Sequence, residues 1–109
     1  MTDIQSINEE IQEIVDVILA TVPVVAIYLF GSHATGTARE DSDFDFYVVI
    51  PDGELQEVTA AQQISRKMAN IQKRCVDMLV GTLNTFNEYK YRKSFVEREI
   101  MGTGVKLYG

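Results

Sequence analysis

Apolar residues recur along this chain at Ile4, Ile7, Ile11, Ile14, Val15, Ile18 and Leu19, the spacing of one face of an amphipathic helix. Ser6-x-x-Glu9 has the form of a capping box but falls inside that pattern, so Thr2 or Asp3 is the expected N-cap. Pro23 ends the helical region. The pattern then changes. Val24 to Phe30 is β-branched and aromatic without polar alternation, which predicts a central strand buried on both faces. Gly31 to Ser42 is a polar turn with room for one helical turn. Phe44 to Ile50 predicts a second strand, stopped by Pro51-Asp52-Gly53. Leu55, Val58, Ala61, Ile64, Met68 and Ile71 return to helical spacing, and Val76 to Val80 reads as a short third strand broken by Gly81. Residues 84–93 and 94–101 look helical, with Gly102 or Gly104 closing the last helix. Val105 to Tyr108 reads as a short edge strand. No repeat or linker interrupts this order, so the expectation is a single α+β (or α/β) domain over residues 1–109, a mixed sheet with flanking helices.

Composition narrows the class. At 109 residues the chain supports one core. A net charge of −6 argues against an extended nucleic-acid footprint, which needs clustered Lys and Arg. The one cysteine, Cys75, excludes an internal disulfide and fits a reducing cytoplasm; at the start of a buried strand it reads as a small core residue. No basic-then-apolar N-terminal segment and no membrane-length apolar run is found, so a soluble cytoplasmic protein is expected.

The chemistry concentrates between the first two strands. One run reads Gly31-Ser32-His33-Ala34-Thr35-Gly36, and Ser42-Asp43-Phe44-Asp45 follows after a short interval. Side chains alternate along a strand, so Asp43 and Asp45 share one face and Phe44 and Phe46 the other. A connection of about a dozen residues is short for a parallel crossover, so an antiparallel pairing is expected to bring Gly-Ser and Asp-x-Asp to one edge. Asp77 reaches the same edge if the third strand runs parallel to the second, with the helix between Leu55 and Lys73 as crossover. Three neighbouring carboxylates repel one another, and divalent cations, Mg²⁺ among them, relieve this through hard oxygen ligands. Gly31 allows close backbone approach to phosphate, and Ser32 offers a hydroxyl and an N–H. The suggested reaction is attack of a hydroxyl on the α-phosphorus of a nucleoside triphosphate, with pyrophosphate leaving.

Gly31-Ser32, Gly36, Ser42-Asp43-x-Asp45 and the distant Asp77 resemble the minimal nucleotidyltransferases of the DNA polymerase β-like superfamily, over nearly the whole chain. The resemblance implies that Asp43 and Asp45 hold Mg²⁺, as two ions, and the phosphates of ATP. It implies that Asp77 completes the metal site and acts as base toward the acceptor hydroxyl, and that Gly31 and Ser32, with Ser42 beside the aspartates, bind the triphosphate. Thr35 stands immediately before Gly36, where relatives often carry Arg or Lys; either a phosphate-neutralising charge is missing here or Arg39 replaces it. Many such domains resemble the antitoxin half of a two-gene pair whose partner is a HEPN toxin. That resemblance implies AMP transfer to a tyrosine of the toxin, with the acceptor docked by another subunit or a second copy. Two alternatives stand beside it: transfer to a small-molecule hydroxyl such as an aminoglycoside, and an antitoxin that acts by binding alone.

Other features have plainer readings. His33 reads as a solvated loop residue in preference to a nucleotide contact. Tyr89-Lys90-Tyr91-Arg92-Lys93 interleaves aromatics and cations, but on a helix these spread into a solvated or partner-facing surface. Asp77 has a structural alternative as the partner of Lys73 or Arg74. Gly102-Thr103-Gly104 reads as a helix stop.

Overall fold

The computed structural model describes residues 4–39, 42–92 and 95–109. The elements are α1 (Ile4–Thr21), β1 (Ala26–Phe30), α2 (Ser32–Thr35), β2 (Phe44–Ile50), α3 (Glu57–Met68), β3 (Val76–Thr82), α4 (Leu83–Tyr89), α5 (Val96–Thr103) and β4 (Val105–Tyr108). The N-cap expectation at Thr2 or Asp3 lies outside the described residues. The strands form one mixed sheet in the order β3-β2-β1-β4. β1 is antiparallel to both β2 and β4, and β2 is parallel to β3 with α3 as the crossover.

Both faces of the two central strands are covered, which is why β1 and β2 lack polar alternation. On one face Phe44, Phe46, Val48 and Ile50 pack with Ile14 and Ile18 of α1 and Ile64 and Met68 of α3. On the other, Tyr47 and Val49 pack with Phe30, Phe86 of α4 and Ile100 of α5. Each such fully buried side chain stabilises the fold by about 1.5–3 kcal/mol. The two clusters fix the register of β2, because a one-residue slip would exchange its faces. With register fixed, Asp45 emerges on the α4–α5 side.

Several expectations need correction. β3 does not break at Gly81 but continues to Thr82. Gly81 is required by close approach: a Cβ there would collide with the Tyr47 hydroxyl. Cys75 is exposed, not a core residue, since it precedes β3 in the lead-in loop. Val58 follows the helical spacing yet is 67% exposed, standing in the first turn of α3 away from the core. α4 stops at Tyr89, short of the expected end, and Lys93 and Ser94 lie outside the described residues. Gly102 lies within α5, and Gly104 caps it. Among the described residues no helix is long and apolar enough to cross a membrane.

Candidate active site

The antiparallel β1–β2 pair places Phe30 opposite Asp45. The next residue, Gly31, leaves the strand with φ 72° and ψ −153°, a region open essentially to glycine alone. A Cβ at Gly31 would collide with the Asp45 carboxylate. The Gly-Ser turn and the acidic strand end are thus in direct contact, on the shared edge that strand polarity predicts. Ser32 opens α2, a single turn in which the Ala34 and Thr35 N–H groups donate to the Gly31 carbonyl, each at 3.1 Å. Gly36 closes it in the left-handed conformation.

β3 brings in the third carboxylate. Asp77 pairs with Asp45 at the same register position of the parallel strands, and the two side chains hydrogen-bond. Burial, followed by the hydrogen bond and charge of Asp77, raises the Asp45 pKa above its ordinary value of 3.8; Asp43 and Glu99 add to the shift. Asp43 is exposed and lies two residues before Asp45. Among the described residues no three His, Cys, Asp or Glu side chains converge into a ready metal cluster. The close group is the Asp45–Asp77 pair, with Asp43 acting on it through space. A hydrogen-bonded carboxylate pair must hold a proton or a cation between its oxygens, and an all-oxygen donor set suits a hard divalent ion.

Arg39 and Ser42, the described residues on either side of positions 40–41, are joined to each other, and Ser42 is braced further by His33 and Arg74. The Ser42 Oγ accepts from the Arg39 N–H at 2.7 Å, while the Ser42 N–H donates to the Arg39 carbonyl at 3.1 Å. The Ser42 carbonyl accepts from His33 Nε2 at 3.0 Å and from Arg74 Nη1 at 3.1 Å. The His33 ring packs on Phe44 with centroids 4.5 Å apart. His33 is therefore a part-buried brace and not a solvated loop residue. Arg74 stands over Phe44 and forks onto Glu10 of α1 at 2.9 and 3.0 Å, tying the lead-in of β3 to the first helix. Ser42 and Arg39 close the turn together, with Arg39 exposed. Thr35 Oγ1 donates back to the carbonyls of Gly31 and Ser32 at 3.3 and 3.4 Å.

Two residues near the site have no signal in the sequence. Glu97 is buried on α5 and accepts a 2.7 Å hydrogen bond from the Tyr47 hydroxyl. Burial first, and then this bond, raise the Tyr47 pKa strongly. Glu99 lies two residues on, close enough for its charge to act on Asp45. Only the packing of α5 on the sheet brings either one in. Residues 89–92 behave as a surface: Tyr89 stacks on Phe95 at 4.5 Å, and Arg92 reaches Glu88 at 3.7 Å, while Lys93 lies outside the described residues.

Comparison with known proteins fits this geometry. The model of the family described as "Nucleotidyltransferase domain" matches residues 7–106, which contain every residue of the site. No curated protein sequence matches the chain. Among solved structures, a toxin–antitoxin crystal structure with AMP-PNP superposes with a TM-score of 0.66 and 22% identity, over 90% of this chain and 72% of the other. A mutant of the toxin–antitoxin MntA-HpeT, with two aspartates two positions apart changed to glutamate, gives a TM-score of 0.65 at 20% identity, over 90% and 72%. At such identities the likeness speaks for the fold, a mixed sheet flanked by helices. The family match covers the glycine turn, the acidic strand end and the third-strand aspartate together, and the chain accordingly belongs to the nucleotidyltransferase domain family.

Proposed function

We propose that this nucleotidyltransferase is a minimal, single-domain antitoxin that transfers AMP from ATP to a tyrosine hydroxyl of a HEPN-type toxin in the cytoplasm. The observation that carries this reading is the Asp45–Asp77 pair, in register across parallel strands, with the Gly31 backbone against Asp45. Asp43, Asp45 and Asp77 would hold Mg²⁺, which supplies charge neutralisation at the triphosphate and the leaving pyrophosphate. Gly31 and the N–H and hydroxyl of Ser32 bind the phosphates. Arg39 is the exposed cation of the same loop and replaces the basic residue that Thr35 does not provide. Ser42 sets the start of the acidic segment by holding the turn closed.

In the reaction the acceptor oxygen forms a bond to the α-phosphorus. The bond from that phosphorus to the bridging oxygen breaks, and pyrophosphate leaves with the electron pair. Asp77, on the sheet edge, takes the hydroxyl proton. The toxin–antitoxin neighbours support a toxin as acceptor, and the AMP-PNP bound in one of them supports ATP as donor. The aspartate pair altered in the other has the two-residue spacing of Asp43 and Asp45. The test is to incubate the protein with ATP, Mg²⁺ and a co-expressed HEPN partner and to read intact masses. A partner heavier by one AMP, absent with D43N/D45N, is the expected result. Full neutralisation of the partner by D43N/D45N would replace this reading with binding alone.

A further inference from the structure

At the end of β1 opposite Gly31, on the α4–α5 side of the sheet, lies a cavity of about 330 Å³. Its lining includes Tyr28, Phe86, Met101, Asn87, Lys90 and Lys106. Tyr28 and Phe86 stack with centroids 5.3 Å apart, and Lys106 Nζ stands 5.7 Å from the Tyr28 ring. No acidic side chain lines the cavity, and neither lysine is ion-paired among the described residues. This stands out in a chain with 16 acidic and 10 basic residues. The apolar surface continues onto the rim, where Leu83 is 36% and Met101 43% exposed. Aromatic and methionine side chains flanked by cations are the composition of a protein-docking patch, and the local charge selects an anionic occupant against the repulsion of the whole molecule.

We propose that this groove docks an acidic segment of the acceptor protein, with an apolar side chain over Tyr28 and Phe86 and carboxylates at Lys90 and Lys106. The inference rests on the reading of a protein acceptor given above. The Ala26–Val49 pair at the groove and the Phe30–Asp45 pair at the aspartates are four residues apart along the strands, roughly 13 Å at about 3.3 Å per residue. A segment held here leaves the aspartates clear while keeping its parent protein beside them.

The test uses the whole ¹⁵N-labelled protein, titrated with the capped peptide Glu-Glu-Leu-Phe-Glu-Glu. Its Gln-for-Glu counterpart, inorganic phosphate and a short single-stranded RNA are the other probes. The expected result is saturable shifts at the Tyr28, Asn87 and Lys90 amides with the acidic peptide, with the Gly31 and Ser32 amides unmoved. K90E/K106E should weaken binding at least tenfold, about 1.4 kcal/mol, with K90Q/K106Q as the substitute should the double reversal lose spectral dispersion. The proposal is overturned if about 1 mM peptide leaves the groove unshifted, if the Gln peptide binds equally well, or if phosphate or RNA fills the groove and the peptide does not. Mg²⁺ with ATP on the same sample reports separately at Gly31 and Ser32. A failure there sinks the nucleotide reading and leaves the groove result intact.

Discussion

Asp45 and Asp77 occupy the same register position on neighbouring parallel strands and share a hydrogen bond between their carboxyls. The order β3-β2-β1-β4 leaves Asp77 on the outer strand, open to an incoming hydroxyl, while Asp45 is the inner, part-buried member. D77N should therefore lower the transfer rate by about 10²–10⁴-fold with ATP binding retained, the loss expected for a general base. D45N should abolish both ATP binding and transfer. Single-turnover adduct formation and ATP titration separate the two.

The raised pKa of Asp45 has a consequence for stability. In the unfolded chain the group ionises near 3.8, and in the fold at a higher pH. Its contribution is then fully present below pH 3.8 and is lost as the pH rises through the folded value. In metal-free buffer at neutral pH, D45N should melt above the parent protein. Thermal melts at pH 3.5 and pH 7 should show that gap shrinking or vanishing on the acid side.

Gly31 and Gly36 both have positive φ but differ in their surroundings. A Cβ at Gly31 meets Asp45, whereas nothing lies within 4 Å of one at Gly36. G31A should cost about 1–3 kcal/mol from backbone strain and also displace the carboxylate, lowering activity beyond the stability loss. G36A should cost about 1 kcal/mol with transfer retained on the folded fraction. Urea unfolding with a parallel transfer assay reads both.

The Tyr47–Glu97 bond spans 50 positions of sequence and pins α5 to the sheet two residues along the strand from Asp45. Y47F strips a buried carboxylate of its donor and should destabilise by about 1–3 kcal/mol. E97Q keeps an acceptor for the hydroxyl and should cost less. G81A drives a methyl into the same hydroxyl and should resemble or exceed Y47F. Denaturant midpoints rank the three.

The site was legible where its geometry follows from strand period and polarity. The meeting of Gly31 with the Asp45 end of β2 and the arrival of Asp77 by a parallel crossover follow from spacing and connection length. What escaped depends on tertiary contact. Gly81 reads as a breaker until the bulk of Tyr47 is set above it. Glu97 and Glu99 sit in a helical pattern that shows neither what α5 covers nor how near it comes to Asp45. His33 reads as solvated because no local rule announces a bond to Ser42, nine residues away. Cys75 reads as a core residue from the apolar run that follows it, but burial begins only inside the strand and the lead-in loop leaves it exposed.

Gly31, Ser32, Asp43, Asp45 and Asp77 all lie on the stretch from the end of β1 through α3 into β3. The later elements, α4, α5 and β4, supply the second layer, the groove and an edge, but none of these five residues. The chemistry is thus a portable cassette. On the proposed roles, the last quarter of such a fold can change to suit a new acceptor while the glycine–aspartate segment stays fixed, so that choice of target becomes a separately heritable trait.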